Sequence, residues 1–165
     1  MSFVTISTFF GEEIDEAAAF EGRTFTEYLR RAYVRRLKMT LSRLNRGGAP
    51  RERTHGREPP LEVAVDPVPE AVIAGGSTRK LGGIRLPKEF VRRAGALARY
   101  DGFTHAGYVR DSALRAVRAT RAARDRGVAP KARPEGASRA RDSFIVDMLP
   151  DLPDPKDLPQ LKKRG

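Results

Sequence analysis

GRTFTEYLRRAYVRRLK, residues Gly22–Lys38, carries its own start signal. Gly22 can take the left-handed backbone conformation that ends a preceding helix. Thr24 stands where it can cap a new helix, and Glu27 three residues on completes a capping box. Behind the cap, Phe25, Tyr28, Leu29, Ala32, Tyr33 and Leu37 recur at helical spacing and form one apolar stripe. The frame returns in Gly102–Arg118, GFTHAGYVRDSALRAVR. Gly, Thr, Tyr and Arg of the pattern Gly-x-Thr-x-x-x-Tyr-[Leu/Val]-Arg each recur 80 positions later without a gap.

Outward from these two stretches, the chain divides at composition shifts. Phe3–Phe9 alternates, with Val4, Ile6 and Thr8 on one side and Phe3, Thr5, Ser7 and Phe9 on the other, which predicts a short strand. Glu12–Glu21 follows as a predicted helix with an acidic first turn. The second helix is expected from Thr24 to about Leu44, closing a first unit over residues 1–44. Residues 45–80 are rich in Pro and Gly and read as a linker, with Leu61–Val65 as a candidate short strand. At the same offset, Ile84 and Leu86 lie under Val4 and Ile6, Arg85 under Thr5, and Gly83 under Phe3. Pro87 marks the start of a helix over Lys88–Tyr100. Thr104 caps the next, which runs to about Arg124 and completes a second unit over residues 81–126. Residues 127–165 are basic and Pro-containing and are expected to be disordered. Within them, Ser143–Leu149 is apolar, either a docking motif or an element packed on the core.

With 165 residues, a formal charge of +11 and a hydrophobic share of 39%, the chain can build one ordinary core or two small ones. A pI near 10.6 makes nucleic acid the leading class of partner, against a solvated basic surface as the plain alternative. There is no cysteine, hence no disulfide framework and no thiolate zinc site. No run approaches the roughly 20 apolar residues that span a bilayer, so the expectation is a cytoplasmic protein with no membrane partner. His55 and His105 are the only histidines, and no metal spacing or nucleophile elbow is present. The expectation is a non-enzyme without metal or cofactor.

A short strand followed by two helices, with Gly-x-Thr before the second, resembles the ribbon-helix-helix DNA-binding family, here in two copies covering Phe3–Leu44 and Leu81–Arg124. The resemblance implies a mainly α fold. One strand from each copy would join into an antiparallel ribbon over a four-helix core, as an intramolecular pseudo-dimer or a homodimer. It further implies that the ribbon reads double-stranded DNA in the major groove. Thr5, Ser7 and Arg85 would be base readers, with Phe3 and Gly83 at the ribbon's edge. The phosphate clamp would be Arg23, Thr24, Phe25 and Thr26, and Thr104, His105 and Ala106, at the starts of the second helices. Tandem units of this kind are similar to accessory proteins of plasmid conjugation that assist a relaxase. Alternative roles are a transcriptional repressor, or an antitoxin-like protein whose Ser143–Gly165 wraps a toxin.

Overall fold

A glycine and a threonine punctuate each half of the chain, and the helices start and stop at them. The structure is a computed structural model, and it describes residues 5–52, 78–80, 86–133 and 149–160. Its elements are β1 (Thr5–Ser7), α1 (Thr8–Phe20), α2 (Phe25–Asn45), β2 (Thr78–Lys80), α3 (Lys88–Tyr100) and α4 (His105–Asp125), then a short 3-10 turn at Pro155–Asp157. Gly22 (φ 66°) ends α1 and Gly102 (φ 87°) ends α3, both in the left-handed region that a side chain disfavours. Thr24 Oγ1 then accepts the Glu27 N–H at 3.2 Å, and Thr104 Oγ1 accepts the Gly107 N–H at 3.0 Å. The helix bounds of the two halves differ by 80 at both ends of each helix: Thr8–Phe20 against Lys88–Tyr100, and Phe25–Asn45 against His105–Asp125.

The contacts between halves are exchanged in the same way. Tyr28 of α2 shares a 2.8 Å hydrogen bond with Thr120 of α4, and Tyr108 of α4 shares one of 2.7 Å with Thr40 of α2. Each links the start of one helix to the far part of the other, so α2 and α4 run antiparallel across each other. Both threonines reach a carboxylate as well: Thr120 donates to Glu21 at 2.7 Å and Thr40 to Asp101 at 3.3 Å. Beyond each second helix the chain crosses to the other half. The Arg51 N–H donates to the Tyr100 carbonyl at 2.9 Å, and the Lys131 N–H to the Phe20 carbonyl at 2.8 Å. Contact of residue i with j, matched by j's counterpart with i's, is the signature of a two-fold-like pairing, here within one chain.

Two apolar clusters fill the interior. Phe10, Ile14, Ala17 and Ala18 of α1 pack with Tyr28 and Leu29 of α2 and Ala113, Leu114 and Val117 of α4. Tyr33 and Leu37 of α2 join Ala94, Leu97 and Tyr100 of α3, Tyr108 of α4, and Leu152 and Leu158 from the C-terminal stretch. Leu37, Leu97, Val117 and Tyr108 are fully enclosed, and each such side chain contributes roughly 1.5–3 kcal/mol of transfer free energy.

Three expectations are corrected. Among the described residues the predicted tandem ribbon, one strand from each copy, is not seen; the fold is helical. Thr5–Ser7 pairs antiparallel with Thr78–Lys80, in the stretch read as linker, with Thr5 opposite Lys80, Ile6 opposite Arg79 and Ser7 opposite Thr78. Of the predicted partner strand, Leu86 is drawn against the second core cluster and Pro87 (φ −55°) is already the N-cap of α3; Gly83, Ile84 and Arg85 lie outside the described residues. Second, α1 begins at Thr8, so Glu12, Glu13, Asp15 and Glu16 occupy its later turns and not its first. Phe10 and Ile14, four apart and both buried, hold that extra turn on the core. Third, the stretch read as linker and the tail expected to be disordered are in part folded. The chain after α2 is pinned at Arg51, and the tail is seated by Leu152 and Leu158, with Arg93 Nη1 donating to the Leu152 carbonyl at 2.7 Å.

Burial pushes the Tyr28 and Tyr108 phenols up to about 12, so both stay protonated hydrogen-bonding groups at neutral pH. Tyr28→Phe and Tyr108→Phe are each expected to lower unfolding free energy by about 1 kcal/mol in urea titrations, since each threonine keeps its carboxylate partner. A loss below a few tenths for either would show that the exchanged bonds do not stabilise the pairing.

Candidate nucleic-acid interface

The residues expected to hold phosphate stand at the starts of α2 and α4. A helix start offers N–H groups and the positive end of the helix dipole, which together suit an anion. Thr24 and Thr104 use their hydroxyls as caps. Phe25 is half-buried against the first core cluster, and Thr26 and Ala106 are half-buried beside the caps. Arg23 turns back on its own half, 3.1 Å from Glu27 and 3.5 Å from Glu21. His105, the counterpart of Phe25, shares a 2.7 Å hydrogen bond between Nε2 and the Tyr33 hydroxyl. Burial first, and Arg99 second, hold the His105 pKa below its ordinary 6.5. Of the expected base readers, Thr5 and Ser7 lie in β1. Phe3, Gly83 and Arg85 lie outside the described residues, as does most of the proposed docking motif at 143–149.

The crossing segments add cations that sequence reasoning placed in linker and tail. The segment Lys131–Ala132 passes directly over Gly22, two residues before the α2 cap. A Cβ on Gly22 would stand 2.7 Å from the Ala132 carbonyl oxygen and 2.8 Å from that of Lys131. Glu52 takes the equivalent place over Gly102, at 2.5 Å. Only glycine allows this approach, and it brings exposed Lys131 and Arg133 beside the start of the other half's second helix. A signal for them was present: Gly47-Gly48-Ala49-Pro50-Arg51-Glu52-Arg53 and Gly127-Val128-Ala129-Pro130-Lys131-Ala132-Arg133 share Gly-x-Ala-Pro-[Arg/Lys]-x-Arg at the same offset of 80.

Further basic side chains repeat along the outer surfaces. Arg35 and Lys38 on α2 and Arg46 at its C-cap are exposed; their counterparts are Arg115 and Arg118 on α4 and Arg126 at its C-cap, of which the first and last are exposed. Arg115 pairs with Asp111 of its own helix at 2.7 Å. The acids collect on α1, where Glu12, Asp15 and Glu16 are exposed and Glu13 meets Arg121 at 3.1 Å. Burial raises the Glu13 pKa, and Arg121 opposes that shift.

The two halves differ most in one buried cluster. Asp101, 2% exposed, caps the C-terminus of α3, where the helix dipole disfavours an anion. Three arginines from the first half answer it: Arg36 at 2.6 Å, Arg43 at 3.2 Å and Arg51 at 3.3 Å. Arg36 also reaches Asp111 at 3.3 Å and lies over the Tyr108 ring, 5.3 Å from its centroid. In the other half the counterparts of Asp101, Arg36 and Arg43 are Glu21, Ala116 and Ala123, and Glu21 lies 3.5 Å from Arg23 of its own half.

Among the described residues no group of three His, Asp or Glu side chains could hold a metal ion, and no helix is long and apolar enough to cross a membrane. Comparison with known protein families, with curated proteins and with solved structures finds no match.

Asp101→Ala should cost about 3 kcal/mol in chemical denaturation, because it removes the nearer of the two carboxylates that answer buried Arg36 and leaves it Asp111 at 3.3 Å. His105 yields a pH test. A depressed folded-state pKa means that stability is complete above about 6.5 and falls as the pH drops below it, when the unfolded chain gains a proton more readily. His105→Gln should show a smaller loss between pH 7 and pH 5 than the unaltered protein; equal losses would assign the acid sensitivity elsewhere.

Proposed function

We propose that this protein binds double-stranded DNA, engaging the phosphate backbone with the starts of α2 and α4 and with the cations that the second crossing segment brings to the start of α2. The observation that carries this reading is the exchange of equivalent contacts between halves, Tyr28 with Thr120 and Tyr108 with Thr40. It relates two capped helix starts and two rows of basic side chains by a two-fold-like rotation. The strands of a duplex are related by two-fold axes too, so a protein with this symmetry can meet both backbones alike. The net charge of +11 supports the same partner. Contacts of this kind set position and orientation rather than sequence preference.

Lys131 and Arg133 are assigned to phosphate, whereas Arg23 is assigned to Glu21 and Glu27. Binding to a 25-base-pair duplex, followed by fluorescence anisotropy between about 50 and 300 mM salt, should fall log-linearly, with a slope of roughly −0.9 per phosphate neutralised. Lys131→Gln and Arg133→Gln should each reduce that slope by about 1. A flat slope, or slopes unchanged in both variants, would defeat the assignment.

A further inference from the structure

The C-terminal stretch, residues 149–160, is seated on α3 by side chains that α1 lacks. The 3-10 turn Pro155–Asp157 packs on α3. Leu152 and Leu158 are each 6% exposed and enter the cluster that holds Leu97 and Tyr100. Arg93 Nη1 donates to the Leu152 carbonyl at 2.7 Å, and Arg92 lies 3.8 Å from Asp154. Glu89 accepts from both guanidinium groups, at 2.6 Å from Arg92 and 2.9 Å from Arg93, and so steadies the pair. The 80-residue counterparts of Arg92, Arg93, Ala96 and Leu97 are Glu12, Glu13, Glu16 and Ala17. On α1, therefore, the donor to the carbonyl would be an acceptor, and the aspartate would meet like charge.

The occupant has the character of a linear recognition segment. Asp151-Leu152-Pro153 and Asp157-Leu158-Pro159 are one tripeptide written twice, six residues apart. Both leucines are buried, while Asp151, Lys156, Asp157 and Pro159 are exposed. Pro150, Pro153, Pro155 and Pro159 restrict the backbone before it docks. The Asp154 carboxylate caps the turn by accepting the Lys156 N–H at 3.1 Å. A segment stiffened in this way loses less conformational freedom on binding. Its Asp157 and Leu158 N–H groups bond within the stretch, to the Asp154 and Pro155 carbonyls. Among the described residues no backbone-to-backbone bond ties it to a helix. It can therefore leave α3 without breaking secondary structure.

We propose that this seat is a docking site for a protein segment of the same chemistry, acidic, proline-stiffened and carrying two leucines six residues apart. The chain's own C-terminal stretch occupies the seat until such a partner displaces it. Displacement leaves the crossing of α2 and α4 closed, because that crossing is held by the tyrosine–threonine bonds. Docking within one chain is favoured over capture of a free segment, so the partner must be in excess or bring further contacts.

Leu152→Asp together with Leu158→Asp, in the full-length chain, opens the seat. A fluorescein-labelled peptide of residues 150–160 should then bind, by anisotropy, at least tenfold more tightly than it does to the unaltered protein, whose seat is filled. Adding Arg93→Glu, which places there the residue type of α1, should weaken the peptide tenfold or more. The same peptide with Leu152→Ser and Leu158→Ser keeps its charge and should not bind, which separates the seat from general attraction to a basic protein. Hydrogen exchange of the unaltered protein needs no variant: the Asp157 and Leu158 amides should exchange at least tenfold faster than those of Leu97 and Tyr100. No binding to the opened chain, equal binding to both chains, equal binding of the serine peptide, indifference to Arg93→Glu, or Leu158 exchange as slow as that of Leu97 would each overturn the proposal.

Discussion

The crossing of α2 and α4 is the constraint from which the rest of the structure follows. Neither half has enough apolar surface on its own to enclose Tyr28, Leu37, Tyr108 and Val117; each helix buries its stripe mainly on the other half. The paired tyrosine–threonine bonds fix the register of that crossing, because a phenol in an apolar interior must find a partner at one place along the opposing helix. Once the register is set, the segments beyond each helix end beside the opposite turn, and the two glycines there make room for them.

The cluster around Asp101 decides which halves can pair. A second half paired with its own kind would set Asp101 against Ala116 and Ala123 and leave a buried carboxylate without the three arginines it has here. Such a charge is costly enough to disfavour the like pairing by several kcal/mol. Buried charge adds little to stability on this view; its effect is to exclude an alternative that the near-identical helix frames would otherwise permit.

The helices were legible in the sequence because their signals are local. Gly22 and Thr24, and Gly102 and Thr104, act within a single turn, and the apolar stripes behind them have helical period. The strand pairing was not legible. Phe3–Phe9 alternates, but alternation does not say which segment lies alongside, and Pro87 and Leu86 were taken up by α3 and the core before a ribbon could include them. The crossing segments were hidden by composition: a Gly-x-Ala-Pro motif looks like linker until its second occurrence is aligned with the first. Arg23 and His105 stand where phosphate contacts were expected, yet Glu21, Glu27 and Tyr33 hold their polar groups, and those partners come from tertiary packing and charge that spacing alone does not reveal.

The unequal treatment of Asp101 and Glu21 gives this molecule a left and a right. Two halves built on one plan could have been interchangeable, and a protein of that kind has no heading. Here one flank is held by the arginines around buried Asp101 and the other is edged with acids on α1. On any two-fold symmetric surface its two orientations would be distinguishable, because the flanks they exchange are not the same.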